Sequence, residues 1–230
     1  MPKIVYLNEH GVEVPSTTTI INKYKDMGGL LHYAHSEGKA GRGLNESRDR
    51  AGDIGSMLHG MIEAYVRGDQ WEMPPEPIKT EDLEISRRLF DTFIKWWAVN
   101  DTIIVEATET SLVSEEHQYG GTIDLVATIL GQPFLLDWKT SKDYHQEMLL
   151  QMAAYRALWR ERKAQDIRGA KLVLFSKASR KLTVYPVSDE QMDLAFPKFL
   201  LLRKTYDMEA AIANSVKETR RAAVSYDYSS

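Results

Sequence analysis

The run YGGTIDLVATILGQPFLLDWKTSK, from Tyr119 to Lys142, constrains the fold more than any other stretch of the chain. Apolar residues gather on either side of a Gly131-Gln132 turn, so the segment reads as a β-hairpin with strands over 122–130 and 134–139. Each strand carries one acidic residue among apolar neighbours, Asp124 and Asp137, and Lys139 follows the second by two places. Side chains alternate across a strand. Leu135, Asp137 and Lys139 therefore share one face, and Phe134, Leu136 and Trp138 the other. On the partner strand Thr122, Asp124, Val126 and Thr128 are expected to share a face, which in the simplest register brings Asp124 near Asp137. Two such carboxylates repel each other and are costly to bury. A divalent cation relieves both problems, and Mg²⁺ takes hard oxygen ligands of this kind. Beside that ion, Lys139 would orient or help deprotonate a water and stabilise charge on a pentavalent phosphorus. A buried Asp–Lys ion pair with a separate Asp satisfies the same spacing, so the D-x-K pattern alone leaves the choice open.

The rest of the chain alternates helical and strand patterns. Residues 1–15 read as a short hairpin turning at Gly11, and Ser16 or Thr17 caps a short helix. A Gly-rich stretch follows, with one helix expected over 30–37. Ile54, Leu58, Met61, Ile62, Tyr65 and Val66 recur at helical spacing up to Gly68, and 80–100 forms a second amphipathic helix. A strand over 103–112 precedes the central hairpin. A helix over 144–163, a second hairpin over 170–187 and a closing helix over 188–216 follow it. This order predicts an α/β fold, a small mixed central β-sheet flanked by helices, with an N-terminal helical elaboration. The length of 230 residues suits one domain: the elaboration over 1–50, the core that carries the chemistry over 51–190, and a C-terminal helical segment over 191–230.

Composition narrows the function. A net charge of −4 argues against a broad nucleic-acid coat but leaves room for a local basic groove. Having no cysteine, the chain makes no disulfide, iron–sulfur cluster or cysteine-ligated zinc site, which fits a reducing compartment. No apolar run approaches the roughly 20 residues of a membrane span, and the N-terminus carries no signal or transit pattern. The expectation is a cytoplasmic protein with no membrane partner.

Two further features bear on the acidic pair. His59 shares one side of its helix with Gly52, Gly55, Ser56 and Glu63; a histidine so placed is as readily a satisfied core or rim group as a ligand. Gln151 and Tyr155, four apart on the helix after the D-x-K strand, lie on one face. Taken in order, GSMLHGMIEAY, GGTIDLV, LLDWKTSK and QMAAY resemble the PD-(D/E)xK nuclease superfamily. The closer similarity is to the branch of RecB-type nuclease domains, Cas4-like nucleases and the mitochondrial genome maintenance exonuclease. The early PSTTTIINKY resembles a segment near the start of phage and mitochondrial members. The absence of a four-cysteine cluster sets the chain with the cluster-free members.

That resemblance implies a restriction-endonuclease-like core and a metal-dependent DNA exonuclease acting in replication, recombination or repair. It implies that His59, Asp124, Asp137 and the Trp138 carbonyl bind Mg²⁺ or Mn²⁺, and that Lys139 is the catalytic lysine. Gln151 and Tyr155 would place substrate phosphates, with Ser141 and Lys142 holding the backbone next door. Glu63 and Glu109 stay unassigned, Glu63 being either a partner of His59 or a plain surface group. DNA, single-stranded or with free ends, is the implied partner, with room for a helicase or recombination partner. A structure-selective endonuclease and a non-catalytic DNA-binding module are the alternatives. Lys23, Lys25, Lys39, Arg42, Arg48 and Arg50, interleaved with Tyr24, His32, Tyr33 and His35, suit a single strand, though a solvated loop explains them equally.

Overall fold

The computed structural model describes residues 4–25, 39, 44–75 and 78–223. Two short strands, β1 (Tyr6–Leu7) and β2 (Glu13–Val14), pair around Gly11, and helix α1 (Thr17–Lys23) follows, capped by the Ser16 hydroxyl. The helix expected over 30–37 lies outside the described residues. Helices α2 (Leu44–Arg67) and α3 (Thr80–Ala98) come next; α2 begins further upstream than its apolar periodicity alone indicates. Strands β3 (Ile103–Ser114), β4 (Tyr119–Ile129) and β5 (Gln132–Lys139) run antiparallel in sequence. Helix α4 (Gln146–Lys163) then crosses over to β6 (Ala170–Phe175), which pairs parallel with β5, and β7 (Leu182–Val187) closes the sheet. The order β3-β4-β5-β6-β7 with one parallel pair is the small mixed sheet that the sequence predicts.

Helices cover both faces of the sheet. Val126, Leu135, Leu172 and Leu174 meet α1, α4 and the final helix α5 (Asp189–Ala222) on one face. Leu125, Ala127, Leu136, Trp138 and Val173 meet α2 and α3 on the other. Alternation along β5 therefore sends Leu135 and Leu136 to opposite cores. Strand β4 departs from it: Ile123 and Val126, three apart, enter the same core, while Thr122 turns to the Tyr6 and Ser111 hydroxyls. The shared face expected for Thr122, Asp124, Val126 and Thr128 is thus broken around Asp124.

Two other expectations are corrected. The β4–β5 turn is Leu130-Gly131, with φ of 51° and 78°, and Gln132 already pairs with Ile129. Both central residues are left-handed because a two-residue turn must match the twist of its strands. Helix α5 continues past residue 216 to Ala222 from a Ser188–Gln191 capping box. Trp96 and Trp97 both pack in the α3-side core, within 6.3 and 5.3 Å of the Trp138 and Phe93 rings respectively.

Gly121 shows how tightly α4 seats on the sheet. A Cβ there would come 2.6 Å from the Tyr155 ring and 3.0 Å from the Thr17 hydroxyl, so only glycine lets both elements approach.

Candidate active site

The site sits where β4 and β5 part company. Their ladder runs in register from Ile129↔Gln132 to Leu125↔Leu136; one step further on, Asp124 would face Asp137. There the Asp124 side chain takes over from the backbone, its Oδ2 accepting the Trp138 N–H at 2.9 Å. Strand β5 ends at Lys139, whose ammonium lies 2.6 Å from Asp137 Oδ2. Helix α4, arriving on the same face as Asp137, brings Gln151, which donates to Asp137 Oδ1 at 3.3 Å and to the Tyr155 hydroxyl at 2.8 Å. From the other side α2 brings His59, with Nε2 2.8 Å from the Trp138 carbonyl oxygen and Nδ1 3.6 Å from Asp124 Oδ2.

Six side chains expected from the sequence thus converge: His59, Asp124, Asp137, Lys139, Gln151 and Tyr155. The Trp138 carbonyl joins them as the acceptor for His59. Ser141 and Lys142 do not join: the Ser141 hydroxyl donates to the Asp143 carbonyl and Lys142 is exposed. Glu63 binds Arg67 at 2.6 Å rather than His59. Glu109, unassigned from sequence, does belong: one ligand atom each of His59, Glu109 and Asp124 lies within 4.8 Å of the others. The register that could have found it is set by a bulge between Val105 and Ala107, which places Glu109 opposite Asp124.

The electrostatics are under tension. Asp137 is 1% exposed and Asp124 7%. Burial first, and then the neighbouring carboxylates, push these acids up: Asp137 to about 6, Glu109 to about 8, and Asp124 in the same direction. Lys139 opposes the rise at both aspartates. Burial would lower its own ammonium, but Asp137 and Asp124 outweigh burial and raise it, so it stays charged. Burial and the Lys139 charge push His59 down to about 4. The imidazole is therefore neutral near pH 7. Because a carbonyl only accepts, Nε2 carries the proton and Nδ1 turns a lone pair toward Asp124. Asp137 Oδ2 accepts no well-formed hydrogen bond despite its closeness to Lys139. Buried carboxylates with raised proton affinity, beside a neutral imidazole lone pair, are a donor set that fits a divalent cation.

A cleft of about 250 Å³ opens beside Lys139 and Gln151, walled by Thr18, Asn22 and Lys25 around the α1 end and by His145 and Met148 of the α4 start. Two of the basic groups noted in the sequence are committed to protein partners. Lys23 binds Glu209 at 2.7 Å, and Arg50 binds Asp82 at 2.6 Å and Glu81 at 2.8 Å. The side chains of His32, Tyr33, His35, Arg42 and Arg48 lie outside the described residues. Among the described residues no helix is long and apolar enough to cross a membrane.

A family model described as the PD-(D/E)XK nuclease superfamily matches residues 29–227. No curated protein sequence matches the chain. Among solved structures, a protein of Eubacterium rectale provisionally called an exonuclease aligns at TM-score 0.44 and 11% identity, over 66% of this chain and 68% of that one. An alkaline exonuclease from Laribacter hongkongensis aligns at 0.41 and 14%, over 71% and 84%. The same exonuclease in complex with dAMP aligns at 0.39 and 14%, over 76% and 92%.

Proposed function

This chain belongs to the PD-(D/E)XK nuclease superfamily, and from that premise we propose that it is a Mg²⁺- or Mn²⁺-dependent deoxyribonuclease. The specific reading is an exonuclease acting on single-stranded or processed DNA ends, in replication, recombination or repair. One observation carries it: two buried carboxylates, Asp124 and Asp137, stand beside a neutral histidine with a free ring nitrogen and a lysine held as a cation.

His59, Asp124 and Asp137 are the residues that would hold the metal. The bound ion would supply Lewis acidity toward a phosphate oxygen and a lowered pKa for the attacking water. Lys139 acts as a cation, not a base, in the metal-free protein, because its carboxylate neighbours raise its proton affinity. That suits it to orient the water and offset charge building on the phosphorus. Gln151, held by Asp137 and Tyr155, keeps the Asp137 carboxylate turned toward the site. The Trp138 carbonyl fixes the His59 tautomer, leaving Nδ1 free as a donor to metal.

The test uses end-labelled linear and circular single strands in Mg²⁺. The parent should degrade the linear strand from an end and spare the circle; Asp137→Ala should abolish that degradation, and Lys139→Ala should lower it by about 10²- to 10³-fold. Cutting the circle would replace the exonuclease reading with an endonuclease one. No hydrolysis by the parent, or hydrolysis untouched by both substitutions, would end the enzymatic reading.

A further inference from the structure

We propose that Glu109 is a direct ligand of the same cation, reaching His59 and Asp124 from the β3 side. This deepens the functional reading above and rests on it. The β3–β4 ladder pairs Thr108 with Leu125 and Thr110 with Ile123, which sets Glu109 across from Asp124. Like charges facing each other on neighbouring antiparallel strands destabilise the pair. Here they are kept, with a histidine beside them, and the ligand atoms of all three lie within 4.8 Å of one another. Ligands on opposite sides of one Mg²⁺-sized ion, each at about 2.1 Å, stand about 4.2 Å apart. The cluster is open by at most 0.6 Å beyond that.

The two flanks of Asp124 are not neutralised alike. Toward β5, Asp137 has the Lys139 ammonium at 2.6 Å and the Gln151 amide at 3.3 Å. Toward β3, the basic group on that side that bears on Glu109 is Arg67, whose guanidinium is taken by Glu63 at 2.6 Å, while the Lys139 ammonium on the far strand acts on Glu109 only through space. An unfilled donor points into the same space from a third element. His59 uses Nε2 on the Trp138 carbonyl, which leaves the Nδ1 lone pair 3.6 Å from Asp124 Oδ2. A lone pair facing a carboxylate is a repulsive contact, and a cation between them reverses its sign.

The backbone of β3 bends to make this arrangement. The register slips by one between Val105 and Ala107, and Glu109 adopts φ of 44°, left-handed for a residue with a Cβ. Without the slip Thr108, not Glu109, would oppose Asp124. The strand leaves regular geometry twice within a few residues, and the result is a carboxylate in the site where a hydroxyl would otherwise stand.

Mn²⁺ binding to the full chain, followed by the electron paramagnetic resonance of free Mn²⁺, tests this together with thermal unfolding in EDTA. Glu109→Gln should weaken Mn²⁺ binding by more than about 100-fold, beyond the 10- to 100-fold range for loss of a group that only supports a ligand. Glu109→Asp keeps the charge but draws it back, and should weaken binding as well. Glu84→Gln, at an exposed carboxylate paired with Arg88, should bind as the parent does. In EDTA, Glu109→Gln should be at least as stable as the parent, because a repelled carboxylate has gone. Unchanged Mn²⁺ affinity in both Glu109 variants, or a Glu109→Gln protein unfolded in EDTA, overturns the assignment and makes Glu109 structural. A parent that binds no Mn²⁺ would instead remove the metal-dependent reading itself.

Discussion

Asp137→Asn should stabilise the metal-free protein above pH 6, although it breaks a buried ion pair. In the folded chain burial lifts Asp137 from 3.8 to about 6, even with Lys139 beside it. Between those pH values the folded state holds more protons than the unfolded one, so stability falls as pH rises through the window and then levels off. Forming the carboxylate in the fold therefore costs about 3 kcal/mol, at 1.36 kcal/mol per pH unit. Asparagine mimics the protonated acid and escapes that cost. Removing one partner of a buried pair ordinarily costs about 3–5 kcal/mol, because it strands the other charge. Lys139 is not stranded: its side chain is 26% exposed, and Asp124 also acts to keep it charged. Denaturant unfolding in EDTA from pH 4 to 8 measures the difference. The parent should lose about 3 kcal/mol relative to Asp137→Asn across the window, equivalent to about 6–12 °C in Tm for a chain of this size. A variant less stable than the parent at pH 8 would refute the reasoning, since the Lys139–Asp137 pair would then be stabilising and no cation would be called for.

Other substitutions probe separate parts of the account. Lys139→Ala should lower cleavage by about 10²- to 10³-fold, the scale for losing one charge-stabilising group, while Mn²⁺ binding persists; loss of the metal as well would make the lysine structural. Gly121→Ala pushes a methyl to 2.6 Å from the Tyr155 ring. It should cost about 1–3 kcal/mol in urea unfolding and reduce turnover by displacing Gln151, whereas a neutral result would mean that α4 seats less tightly than described. Leu130→Asn relieves an 81%-exposed leucine at φ of 51° and should stabilise the chain by about 1 kcal/mol in thermal unfolding; an unchanged or lower Tm would count against the assigned turn.

Much of the site was legible because it follows the two simplest periods. Two-residue alternation put Asp137 and Lys139 on one face of β5, and four-residue spacing put Gln151 and Tyr155 on one face of α4. The mixed sheet followed from the order of elements. What escaped was whatever depends on register or on a distant partner. The slip near Glu106 leaves no trace in an alternating pattern, so Glu109 could not be placed opposite Asp124. Leu130 is no turn former by composition; the strands on either side force it left-handed. Lys23 and Arg50 read as free cations because Glu209 and Asp82, 186 and 32 positions away, are invisible to local reading. Glu63 is the reverse case: its partner Arg67 is four residues on, a pairing that helical spacing does make visible.

The most direct measurement is anomalous diffraction from a crystal of the full chain soaked in Mn²⁺. The account predicts a peak within coordinating distance of Asp124, with His59 Nδ1 and Asp137 among its ligands. A fully soaked crystal with no peak among these residues, and Asp137 still held only by Lys139 and Gln151, would contradict it.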